Sequence, residues 1–276
     1  MLDALAALTK GLLYGALLSA AGTPLAAIWL RPHDALAEHT RRVMRVAAMI
    51  TIGLTIVMGV LLFLRLGGEF DQPTLTAVFS SGPGAASLLQ LTGAAFLLTP
   101  TDDDASGRSW LLLGALTMTA AFVFNGHAAA MSPTVGIVAM AHVTAIAWWI
   151  GSLWLLSLAC KLAAADEIVR LVGRFSWLAV RVVAGLIVAG LVLILALIDF
   201  GNSPWLTAYV RVLALKLALV LVVLAIAAYN KVQLTPRLPS EMATLRRSIT
   251  VELAVIACVL LMTAVLTTYF APEGES

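Results

Sequence analysis

The chain has 276 residues, 61% of them hydrophobic and only 12% charged, against roughly 45–50% and 25% in a soluble domain. That balance excludes a water-soluble core. Eight apolar spans with short links would use nearly the whole length, which leaves no room for a soluble catalytic domain. The formal charge of +2, with the basic residues gathered between spans, marks membrane topology and argues against nucleic-acid binding.

Apolar runs fall at residues 5–30, 46–66, 85–98, 110–130, 134–160, 177–198, 205–229 and 249–270. Their lengths predict an all-α polytopic bundle of about eight transmembrane helices, folded as a single domain over residues 1–276. The third run is the shortest. The first lacks a basic lead-in and a small-residue cleavage site before Arg31-Pro32, so it reads as a span and not as a leader. Breakers separate the runs: Gly67-Gly68, Ser81-Gly82-Pro83-Gly84, Thr99-Pro100, Ser132-Pro133, Gly201-Asn202-Ser203-Pro204, and Pro236 with Pro239.

Lys and Arg collect on alternate links. The link after the first run carries Arg31, Arg41, Arg42 and Arg45, and that after the third carries Arg108. Lys161, Arg170 and Arg174 follow the fifth run, and Lys231, Arg237, Arg246 and Arg247 the seventh. All twelve fall on one side, and by the positive-inside rule that side is cytoplasmic and both termini face outward. Asp102, Asp103 and Asp104 lie in a Ser/Gly link on the same side and read as solvated charges. Cys160 and Cys258 have no CxxC spacing and read as packing residues.

Ionisable groups inside a bilayer are costly and default to functional candidates. His33 and His39 lie in the basic link after the first run. His127 follows Asn125-Gly126 near the outer end of the fourth run, and His142 lies about two turns into the fifth. The short connection Met131-Ser132-Pro133 would bring the two imidazoles to similar depth across an antiparallel pair. Imidazole suits copper and zinc, and thioether sulfur favours Cu(I), so Met131, and further off Met118, could join a mixed nitrogen and sulfur site. Packing alone also accounts for a lone intramembrane histidine or methionine. Trp149 returns to nearly the face of His142 one layer deeper, and Gly151 permits close helix approach. Of the remaining buried charges, Arg181 and Glu252 come at similar depth and could pair, while Lys216 lies near mid-membrane with no evident acidic partner.

These residues carry a resemblance to the CopD family of bacterial copper-resistance inner-membrane proteins. Asn125-Gly126-His127-Ala128 is similar to the family's GHA element, and His142 through Trp149, Gly151 and Leu153 to its histidine–tryptophan–glycine segment. Gly173-Arg174-Phe175-Ser176 resembles a block before the sixth span, Lys216 a lysine of the seventh, and Arg247-Ser248-Ile249 with Glu252 and Thr263–Thr267 the last span. The first span reads Thr9-Lys10-Gly11, where the family often has a histidine, and no stretch of these residues reads as a fused CopC-type β-domain.

The resemblance implies a multi-pass protein of the bacterial cytoplasmic membrane. It would bind and move copper, accepted at an outer-face site of His127 and His142 with Met131. Asn125, Met118, Trp149, Lys216, Arg181 and Glu252 would support the site or line the path. Membrane lipid and a separate periplasmic CopC-like copper carrier are the implied partners, and no enzymatic activity is expected. The alternative is a membrane electron-transfer protein holding a b-type haem between the same two histidines.

Overall fold

The computed structural model describes residues 2–100, 104–124, 132–197 and 208–269. Nine α-helices account for nearly all of these residues, with no strand among them: α1 (Leu2–Leu30), α2 (Asp34–Arg65), α3 (Gln72–Ser80), α4 (Gly82–Leu98), α5 (Ala105–Ala120), α6 (Pro133–Leu162), α7 (Ala165–Leu197), α8 (Ala208–Tyr229) and α9 (Met242–Tyr269). Seven are long and apolar enough to cross a membrane. α4 is the shorter eighth, and its 17 residues span about 25 Å, somewhat less than a hydrocarbon core of about 30 Å. The chain is a multi-pass membrane protein.

Several helices outrun their apolar runs. α2 begins at Asp34 and has 32 residues, a length of about 48 Å, so its polar first turns stand beyond the hydrocarbon. His33 is therefore the residue capping α2, and His39, Arg41, Arg42 and Arg45 are helical and not in a loop. Arg170 and Arg174 likewise belong to α7. The short α3 was not legible as a run. It is capped by Asp71, whose carboxylate accepts from the Thr74 amide at 2.9 Å, with Pro73 in the first turn.

The helix ends gather into two layers. At one end, Arg65 closing α2 pairs with Asp3 opening α1, and the Lys10 ammonium donates to the Thr267 carbonyl near the end of α9 at 3.4 Å. The opposite end is basic. There Arg170 and Arg174 of α7 donate to the Leu30 carbonyl at 3.4 and 3.1 Å, and Arg170 to that of Arg31 at 3.1 Å. They satisfy carbonyls that the end of α1 leaves without helical partners. Glu167 gathers the same corner by accepting from the His33 amide at 2.9 Å and from Arg170 at 3.1 Å.

α1 is the hub of the bundle, packed along α2, α6, α9 and α5. Its buried face runs through Leu17, Leu18, Ala20, Ala21, Gly22 and Ala26. Within lipid, helices gain little from hydrophobic burial and associate by close packing and interhelical hydrogen bonds, so small residues mark the contacts. The tightest is the α1–α6 crossing, where Gly22 lies on the backbone of Ala147 and Gly151, and a Cβ on either glycine would overlap the other helix's main chain. Buried hydroxyls join further pairs: Thr55 of α2 donates to Gln90 of α4 at 3.0 Å, and Thr144 of α6 to Thr119 of α5 at 3.1 Å.

Candidate functional site

α6 begins at Pro133 after the extended Ser132, so His142 lies about 13 Å along the helix from its start. Thr144 is tied to α5 through Thr119. His142, two residues earlier, is turned about 200° from it, toward α7 and α8. Its ring lies beside Gly190 of α7, where a Cβ would stand 3.5 Å from Cε1 in ordinary contact. Its Nδ1 is buried and has no hydrogen-bond partner among the described residues.

Lys216 of α8 is close enough to act on His142 electrostatically. It lies eight residues into its helix, about 12 Å from the same end, so the two side chains occupy one layer. No carboxylate pairs with Lys216 among the described residues. α7 packs along α6 and α8 along α9, while α7 and α8 make no extended contact with each other. His142 thus lies beside α7 at about the depth of Lys216 on α8.

Nearer the basic end a second polar group is built. Trp149, two turns beyond His142 on α6, donates from Nε1 to Oε1 of Glu252 at 2.8 Å, and Asn230 donates from Nδ2 to Oε2 at 3.1 Å. Glu252 is 1% exposed, and both donors are neutral. The Arg181–Glu252 pair does not form. Arg181 instead donates to the Trp177 carbonyl at 2.8 Å and stacks on the Trp177 ring at 3.8 Å, because that face of α7 is open and Trp177 is 60% exposed. Similar depth put the two residues in one layer but said nothing of their direction around the helix. Trp149 is thus both packed, edge-on to Phe175, and hydrogen-bonded.

Asn230 escaped sequence reasoning. It opens a π-helical turn, Asn230–Leu234, that widens the end of α8 and turns the amide toward α9. Its one sequence signal is an amide at the end of a long apolar run, Tyr229-Asn230-Lys231. Met118 is placed at the α4–α5 crossing, fully buried against Gly93, as a packing residue. Asn125, His127 and Met131 lie outside the described residues. Among those described, no three His, Cys, Asp or Glu side chains converge as a ready-made metal cluster.

The fold defines a helical multi-pass membrane bundle with a histidine, a lysine and a buried carboxyl inside its spans. A family model described as "Copper resistance protein D-like, N-terminal domain" matches residues 1–137, and one described as "Copper resistance protein D" matches residues 169–266. The chain belongs to the CopD family of copper resistance proteins. The likeness reaches the first two spans, which the sequence blocks did not cover, whereas His142 and Trp149 fall between the two matched stretches. No curated protein and no solved structure matches the chain.

Proposed function

We propose that this protein accepts copper from the outer side of the bacterial cytoplasmic membrane and passes it inward through the bundle. Family membership supports copper as the cargo, and the basic helix ends support an orientation with α1 starting outside. The observation that carries the reading is His142, a half-buried residue of α6 beside Gly190 of α7, whose buried Nδ1 has no hydrogen-bond partner among the described residues.

An imidazole with one ring nitrogen left without a partner among the described residues is a ready donor for a copper ion. His127 supplies the second nitrogen and Met131 a thioether, both from the segment that leads into α6. Lys216 sets the charge of the layer. A cation entering beside an ammonium is repelled, so its amine either yields its proton or moves aside as copper passes. Delivery would come from a separate periplasmic copper carrier, and no chemical conversion of the metal is needed.

The test is metal analysis and absorbance on the purified protein. The reading expects a sample without a haem Soret band that binds copper near one per chain, and loss of most of that copper in both His127→Ala and His142→Ala. A strong Soret band would replace copper with a b-type haem between the same histidines. Full copper occupancy in both variants would remove the site.

A further inference from the structure

Glu252 stands out among the groups that the copper site does not use. A carboxyl at 1% exposure inside a membrane span is held by two neutral N–H donors, Trp149 Nε1 and Asn230 Nδ2. Among the described residues no lysine, arginine or histidine comes within ion-pair distance of it. Arg181 lies on Trp177, Lys231 donates to the Ser176 carbonyl at 3.4 Å, Arg174 caps α1 and Lys10 is tied to Thr267 toward the far end. From α6 the carboxyl meets Trp149, and from the end of α8 it meets Asn230. Neither is charged.

A fixed structural carboxylate in lipid is normally matched by a cation, because an unmatched charge there costs several kcal/mol. Here the cation is missing and polar capacity is in excess. Asn230 Oδ1 and Ser152 Oγ, the latter one turn beyond Trp149 on α6, are buried without partners among the described residues. Asn230 reaches the carboxyl only through the π-helical turn that ends α8, and such turns are rare and cluster at functional sites. The Thr235 hydroxyl donates to the Asn230 carbonyl at 2.9 Å, which continues the polar path toward the basic end.

We infer that Glu252, with Asn230 and Trp149, is a reversible proton-binding site, and that its loading from the basic end is coupled to copper movement. The coupling rests on the copper reading above, while the proton site itself does not. In the step, a proton from cytoplasmic water forms an O–H bond on one Glu252 carboxyl oxygen. The Asn230 amide then turns so that Oδ1 accepts that O–H, and the reverse step returns the proton to water. No other bond changes. The charge a copper ion brings into the dry bundle is offset by the carboxylate as it gives up its proton, and Trp149 links this site to the α6 face of His142.

Glu252→Gln tests the idea with little disturbance. The glutamine keeps an oxygen for Trp149 Nε1, and its amide can donate to Asn230 Oδ1 once Asn230 turns. The apo protein is titrated by infrared difference spectroscopy, and copper uptake into vesicles of right-side-out orientation is measured with and without an imposed pH gradient. The expected result is a protonated-carboxyl band that is absent in Glu252→Gln, present but shifted in Glu252→Asp, and unchanged in the exposed control Glu69→Gln. Uptake by wild type responds to the gradient, and uptake by Glu252→Gln does not. A titration without such a band, or a band surviving in Glu252→Gln, overturns the proton site. A gradient response that persists in Glu252→Gln overturns the coupling. Wild-type vesicles that accumulate no copper while the band is intact would sink the transport reading and the coupling with it, but leave the proton site standing.

Discussion

Replacing Gly22 by alanine adds one methyl group at the point where α1 crosses α6. The new Cβ would overlap the Ala147 carbonyl and press on the Gly151 amide. The obstacle is main chain on a rigid helix, so no side-chain rotation relieves it and the two helix axes must separate. Overpacking of a core costs about 1–3 kcal/mol, and a backbone obstacle puts this site at the upper end. That corresponds to roughly a 5- to 150-fold loss in the folded-to-unfolded ratio. Gly151→Ala meets the Gly22 backbone from the other side and should cost a similar amount, and the double variant should cost less than the sum because both report one contact. Gly15→Ala on the same α1 is the control. Nothing lies within 4 Å of its added Cβ, and alanine in a helix gains about 0.5–1 kcal/mol over glycine. Thermal unfolding of the detergent-solubilised protein, followed by tryptophan fluorescence, reads all four. Gly22→Ala melting with wild type, or Gly15→Ala melting lower than Gly22→Ala, would refute the account of α1 as the hub.

Two further perturbations test separate parts of the structure. Trp149→Phe keeps an aromatic ring against Phe175 but removes the donor to Glu252 Oε1. It should destabilise by about 1–3 kcal/mol, the cost of leaving a buried acceptor unmade, and a melting temperature equal to wild type would mean the bond contributes nothing. At Asp71 the Thr74 side chain and amide hold the carboxyl below its ordinary range. A group whose folded pKa is depressed stabilises above its unfolded value and stops doing so as pH falls through the folded one. Hydrogen exchange at the Thr74 amide should therefore be protected at neutral pH and lose protection only in acid below the usual carboxylate range. Protection that fades well above that range would show that the cap does not hold α3.

The sequence spoke clearly on what lipid requires and less clearly on direction. Run length located the spans because a helix must cover the hydrocarbon whatever it packs against. The one short run, 85–98, became the short helix α4. Run length could not show that α2 and α7 continue as polar helices past the bilayer, where hydropathy falls but backbone hydrogen bonding does not. Gly151 was legible as a close-approach residue, yet its partner Gly22 was not, since the partner of a glycine contact is fixed only by tertiary packing.

Depth along a helix did not bring His142 and Lys216 together in the sequence, where Lys216 reads as mid-membrane, whereas on α8 it lies about 12 Å from the helix start. Depth misled for Arg181 and Glu252, because rotation about each axis decides which residues meet. Asn230 went unread for a different reason. A π-helical turn shifts the face of the residues it contains, and no 3.6-residue pattern predicts where one falls.

In the proposed route copper enters from the outer face through His142. Vesicles of right-side-out orientation containing the protein are given external copper, and the metal retained inside is counted for wild type, His142→Ala and the exposed control Glu69→Gln. Accumulation is expected in wild type and in the control, and a fall to the level of protein-free vesicles in His142→Ala. Equal accumulation in His142→Ala and wild type, or none in any of them, would contradict it.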